Sequence, residues 1–127
     1  MFQITIPIRL VNETNQREHW AVKAKRSKQQ RYAAAAYLRT SSTGYLAPKI
    51  PSFPCVITIT RIGKRKMDSD NLAISAKHIR DGIADFLKVN DGDESKVKWE
   101  YAQELRDYYA VKIEIRGMIP ATVTGGK

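Results

Sequence analysis

The chain has a single cysteine, Cys55, among its 127 residues. That excludes an internal disulfide and a zinc site built from cysteines. No apolar run approaches the length needed to cross a membrane. The opening Met-Phe-Gln-Ile-Thr-Ile-Pro has neither the basic nor the apolar part of a secretion signal. These absences point to the cytosol. Histidine is scarce as well: His19 and His78 stand far apart and lack metal-ligand spacing. No strand carries the aromatic pattern of an RNA-binding sheet, which weakens the case for a small RNA-binding module. Acid is in short supply against base, with 13 Asp and Glu facing 22 Lys and Arg. The resulting net charge of +9 favours a polyanionic partner.

What is present reads as one α+β domain over residues 1–117, followed by a flexible tail at 118–127. Phe2, Ile4, Ile6, Ile8 and Leu10 alternate with polar residues, which predicts a half-buried strand over 2–10. Pro7 has no N–H to donate, so this strand belongs at a sheet edge or carries a bulge. Asn12 to Asn15 read as a turn. A helix is expected over about 18–39, rich in Ala, Lys, Arg and Gln. Its cations Arg17, Lys23, Lys25, Arg26, Lys28 and Arg31 gather in the first half. They form either a phosphate-contacting element, led by Lys23 and Arg26, or a solvated helix face. Pro48, Pro51, Pro54 and Gly44 mark a loop over 40–54.

A second strand is expected at 55–62, and Gly63-Lys64-Arg65-Lys66 follows as a turn with three consecutive cations. One helix is expected over 69–88. An acidic turn then spans Asn90 to Glu94, with strands at 96–103 and 108–116. The order β-α-β-α-β-β describes two main helices packed on a small mixed sheet.

The acids carry the chemistry. At about 100° per residue, a continuous helix puts Lys77 and Asp81 within about 20° of Asp70, opposite an apolar face of Leu72, Ala76, Ile79, Ile83 and Phe86. Asp68 and Asp70 flank Ser69 at the helix start, where two carboxylates can converge on a hard divalent cation. Asp is also a favoured N-cap, so one of the pair has an alternative role in capping the helix. Asp91, Asp93 and Glu94 form a further acidic group past the helix end. Carboxylates repel a phosphate backbone unless a metal ion bridges the two. Acids beside Lys64, Arg65 and Lys66 on a cationic chain are therefore what a metal-dependent nuclease requires.

Lys66-Met67-Asp68-Ser69-Asp70-Asn71-Leu72, then Lys77, then Arg80-Asp81-Gly82-Ile83-Ala84-Asp85, then Asn90-Asp91-Gly92-Asp93-Glu94, resembles the core of the RusA family of Holliday-junction resolvases. Trp99-Glu100-Tyr101-Ala102-Gln103 and His19-Trp20-Ala21 are similar to segments of phage-borne members. The resemblance spans most of residues 1–117. It implies a homodimeric endonuclease that uses Mg²⁺, with Mn²⁺ as a substitute, to cut four-way DNA junctions in recombination and repair. It also implies an intertwined α+β fold with an acidic cluster in each subunit. Asp68 and Asp70 match the first two catalytic aspartates and Lys77 the functional lysine. The third acid falls in the turn, with Asp93 favoured over Asp91 and Asp91 over Glu94. Here the chain departs from the best-characterised pattern, which has two adjacent acids in the turn and a lysine closer to the first pair.

The expected catalytic set is therefore Asp68, Asp70, Lys77 and Asp93. Metal contacts are expected from Asp68, Asp70, Asp91 and Asp93, and DNA contacts from Lys64, Arg65, Lys66, Lys23 and Arg26. The competing readings are a nuclease for other branched DNA and a basic DNA-binding protein without catalysis. The second of these does not need its acids.

Overall fold

A computed structural model describes residues 1–12 and 19–118. The turn residues Glu13 to Asn15, Arg17 and the tail from residue 119 onward lie outside the described residues. The elements run β1 (Phe2–Ile6), α1 (Trp20–Ser42), β2 (Cys55–Gly63), α2 (Ser69–Ser75), α3 (Lys77–Leu87), β3 (Val97–Leu105) and β4 (Ala110–Gly117). The architecture is α+β, with three helices on a four-stranded mixed sheet of order β1-β4-β2-β3. β2 and β3 are parallel, because the chain crosses over through α2 and α3 between them. β4 is antiparallel to both β1 and β2.

β1 lies at the sheet edge and ends at Ile6, just before Pro7. The expected period-two pattern outlasts the strand itself: Leu10 is buried and Ile8 half-buried beyond the last ladder pair. β2 is central and buried along its whole length. Its Cys55, Ile57 and Ile59 join Phe2, Ile6, Ile113 and Ile115 in a core covered by Ala34 and Leu38 of α1 and Ile79 and Ile83 of α3. Each such aliphatic side chain contributes roughly 1.5–3 kcal/mol when fully buried. On the other face, Thr58 and Arg116 donate to Glu100, and Lys112 donates to Glu104 over 2.8 Å. That face is a mosaic of paired charges rather than a bare cationic surface.

The helix expected over 69–88 is two helices. The backbone turns at Ala76, with φ −93° and ψ 0°. Buried Ser75 donates its hydroxyl to the Leu72 carbonyl at 2.7 Å, a back-bond that bends helices. α1 runs three residues past its expected end. Ser42 and Thr43 hydroxyls donate to the Leu38 and Arg39 carbonyls in the last turn. At its start, His19 Nδ1 accepts the Ala21 N–H and caps the helix. His78 shares a 3.0 Å hydrogen bond with Ser27 of α1. Both histidines thus have local structural work. Although α1 has 23 residues, no helix among the described residues is long and apolar enough to cross a membrane.

α1 and α3 pack closely. Arg31 forks onto Asp85 with bonds of 2.5 and 2.9 Å, which holds the Asp85 carboxyl below its usual range. A carboxylate depressed in this way stabilises the fold above its ordinary pKa near 3.8 and loses that contribution as pH falls through the lower folded value. Both side chains are about half exposed, so solvent and salt screen the pair. Tm is therefore expected to fall below about pH 4, with part of that acid limb missing in Asp85→Asn. A pH series of Tm measurements checks this. An Asp85→Asn limb superimposable on the native one would remove the pair from the account.

Candidate active site

β2 ends at Gly63, and the Lys64–Met67 link leads directly into α2. Its geometry is fixed by a side chain from the neighbouring strand. Gln103 of β3 accepts the Met67 N–H at 2.8 Å and donates its amide to the Met67 carbonyl at 2.6 Å. Met67 itself is buried. One glutamine therefore satisfies both backbone groups of the residue before Asp68, as a strand partner would.

Asp68 stands at the N-cap of α2, yet its side chain makes no capping hydrogen bond. Its carbonyl accepts the Leu72 N–H. Asp70 follows in the first turn. Both carboxylates are exposed, and among the described residues neither makes a hydrogen bond or ion pair. The capping role open to Asp68 in the sequence is not exercised by its side chain.

The break at Ala76 separates Asp70, on α2, from Lys77 and Asp81, on α3. Lys77 pairs with Asp81 at 3.2 Å, an i,i+4 contact with an exposed ammonium. A shallow cleft of about 310 Å³ is lined by Ala73, Ile74, Lys77, Arg80, Asp91 and Tyr101. It joins the lysine to Asp91 of the acidic turn. Asp93 does not line this cleft. It accepts the Ser95 hydroxyl at 2.5 Å and the Ser95 N–H at 3.1 Å, and these bonds hold its carboxyl below the usual range. Glu94 is exposed further along the turn.

The acidic turn is tied to the sheet by Arg80, whose role the sequence did not announce. Its guanidinium donates to the Asp91 carbonyl at 2.6 Å and the Tyr101 hydroxyl at 2.9 Å, and lies 4.7 Å from the Trp99 ring centroid. Trp99 Nε1 donates to the same Asp91 carbonyl. Arg80 Nε is 3.4 Å from the Asp91 carboxylate without hydrogen-bond alignment, so that contact is electrostatic. Arg80→Met is expected to cost about 2 kcal/mol or more and to loosen residues 89–96. Arg80→Lys restores little, since an ammonium cannot reproduce the planar fork and the stacking. Hydrogen exchange reads this out; native protection at 89–96 in Arg80→Met would show that the turn holds itself.

Most described cations outside the 64–66 run and α1 are paired. Lys77, Arg80, Lys98, Arg106, Lys112 and Arg116 each have a carboxylate within 4 Å, as Arg31 does on α1. Lys64, Arg65 and Lys66 are exposed and have no such partner among the described residues. On α1, Lys23 and Arg26 are half-buried in the first half of the helix. Three cations without a carboxylate partner among the described residues thus precede the Asp68 and Asp70 pair in the chain.

Among the described residues, no set of three or more His, Cys, Asp or Glu side chains is arranged to hold a metal ion. Among the described residues the carboxylates of Asp68 and Asp70, two residues apart at the start of α2, are both uncommitted. Mg²⁺ is commonly held by one or two carboxylates together with substrate phosphates and several waters, so this donor set suits it. No family model, curated protein or solved structure matches the chain.

Proposed function

We propose that this chain is a Mg²⁺-dependent, structure-selective DNA endonuclease. In this reading it acts as a homodimer and cuts four-way junctions by paired phosphodiester hydrolysis in recombination and repair. The observation that carries the reading is the pair Asp68 and Asp70. Both are exposed and free of partners among the described residues, and they follow a run of three cations likewise without carboxylate partners there, across a link fixed by Gln103. Carboxylates kept uncommitted beside a phosphate-attracting run suit a bridging cation and little else. The resemblance of this segment to RusA-type resolvases supports the same reading.

When bound, Mg²⁺ would supply Lewis acidity toward phosphorus and a more acidic bound water. Asp68 and Asp70 would hold it. Lys64, Arg65 and Lys66 draw the strand in and set its register through phosphate contacts. Lys77, exposed on the cleft beside Asp91, is placed to meet negative charge developing on a phosphate oxygen. For the third acid we put Asp91 ahead of Asp93, because Asp91 shares a cleft with Lys77 while Asp93 is engaged by Ser95. A two-fold dimer matches the two equivalent strands of a junction.

The test is a labelled synthetic four-way junction and a linear duplex, each incubated with the purified protein and Mg²⁺ or Mn²⁺. Paired nicks in the junction, an intact duplex and a slower Asp91→Asn than Asp93→Asn are expected. Tight junction binding with no cutting in either metal would leave a basic DNA-binding protein. Equal cutting of flaps or forks would make it a nuclease of broader substrate range.

A further inference from the structure

Between the end of the β1 segment and the cationic run lies a pocket of about 240 Å³ whose charged lining, among the described residues, is wholly positive: Arg9, Arg61, Arg65 and Lys66. Tyr109 and Asn12 complete its polar wall. Arg61 is the unusual member. It sits on central strand β2, is only 7% exposed, and has no carboxylate partner among the described residues. One of its terminal nitrogens donates to the Arg65 carbonyl at 2.6 Å, while its Nε has no hydrogen-bond partner. Burial pushes the Arg61 guanidinium below its ordinary pKa; Tyr109 opposes this in part and nearby Arg9 adds to it. A buried guanidinium with no counter-charge is costly to the fold unless an anion completes it.

The surroundings keep these groups in place. A Cβ on Gly63 would come within 2.9 Å of both terminal nitrogens of Arg61, so the missing side chain there leaves room for the guanidinium. Arg9 lies 4.2 Å from the Tyr109 ring centroid and Lys64 lies 5.8 Å from it. The aromatic ring thus holds the Arg9 guanidinium at the pocket. Lys66 and Met67 line it, and Asp68 is the next residue.

We propose that this pocket is a phosphate-binding site that seats one backbone phosphate of the nucleic-acid strand lying across Asp68 and Asp70. Guanidinium forks match a phosphate's geometry and charge. The assignment of the phosphate to a strand rests on the nuclease reading; the anion site itself does not. Seating a phosphate here fixes the register of the strand two residues from the first acid, a task that a flexible lysine run alone does loosely.

The test separates site from source and needs no cleavage. Thermal unfolding is followed in inorganic phosphate against chloride at matched ionic strength, without metal or DNA. Phosphate is expected to raise the native Tm by roughly 2 °C or more beyond chloride. The gain should vanish in Arg61→Met and in exposed Arg9→Gln, and persist in Lys49→Gln on the 43–54 loop. Should Arg61→Met fail to fold, Arg9→Gln carries the comparison. Junction binding is then measured in EDTA across a salt series. Arg9→Gln and Lys66→Gln should each make the slope of log affinity against log salt shallower by about 0.9, and the double variant by no more than either alone, because one phosphate is shared. Phosphate no better than chloride overturns the site. Phosphate binding with unchanged junction slopes, or additive losses in the double variant, overturns the strand assignment. A junction bound as expected but never cut refutes the nuclease reading and leaves this one standing.

Discussion

Asp70→Asn is expected to bind a four-way junction as tightly as the native chain or a few-fold tighter, and to cut it at least about a hundredfold more slowly in Mg²⁺. The two effects have opposite signs for one physical reason. Asp70 is exposed in the first turn of α2 and makes no hydrogen bond or ion pair among the described residues. The amide keeps the shape and removes only the charge. Removing it lifts a repulsion from phosphate that is on the order of 1 kcal/mol at 4 Å in water. Loss of an acid near a helix start costs roughly 0.3–1 kcal/mol, so folding survives. The charge is missed only where a cation has to be held against the strand.

This pairing of outcomes separates the candidates. A solvated Asp70 changes neither binding nor cutting when neutralised. In a non-catalytic DNA-binding protein, Asp70→Asn leaves function intact or tightens it, and the native chain never cuts. A structural Asp70 lowers Tm, binding and cutting together. Junction affinity measured in EDTA, nicking rate in Mg²⁺ and Tm, all on the same preparation, decide among them. Full-rate nicking by Asp70→Asn would falsify the role assigned to the acid pair.

The sequence made the period-two and apolar patterns legible, and with them most of the elements. Ile57, Ile59, Ile113 and Ile115 line the core from the strands where the alternation put them. Pro7 ended an edge strand because its missing N–H is a local fact that no tertiary contact repairs. The single helix over 69–88 was misread because the break depends on Ser75 turning its hydroxyl back onto Leu72 in a buried setting, which periodicity does not register. That break also puts Asp70 and Lys77 on separate helices, α2 and α3. The partners of the site were the least legible. Gln103 and Arg80 act through pairings 36 and 11 residues away in the chain, and a sequence pattern carries no such geometry. Arg61 falls inside the strand pattern of β2, and a cation within a central β-strand is itself a signal in the sequence.

Gly82→Ala is expected to destabilise the protein by about 2 kcal/mol or more, lowering Tm by roughly 5–10 °C. Helix propensity alone predicts the reverse, since alanine is favoured over glycine by about 1 kcal/mol in a helix interior. Packing decides the sign. Gly82 is buried in α3 where α1 crosses it, and a Cβ there would lie 2.2 Å from the Arg31 carbonyl oxygen and 2.9 Å from the Ala34 Cβ. Neither is a flexible side-chain end, so the helices themselves must move apart. Separation strains the Arg31–Asp85 fork and the Ser27–His78 bond and opens the core beneath Ala34 and Leu38. Ala34→Gly added to Gly82→Ala should recover little, because the tighter clash is with backbone and stays. A glycine inside an otherwise helical pattern commonly marks such a close approach, and here it couples stability to function. α1 carries Lys23 and Arg26, so a displaced α1 should also weaken junction binding while the acid pair on α2 remains intact. A Gly82→Ala protein as stable as the native one, with native junction affinity, would mean that α1 is not held against α3 at this point.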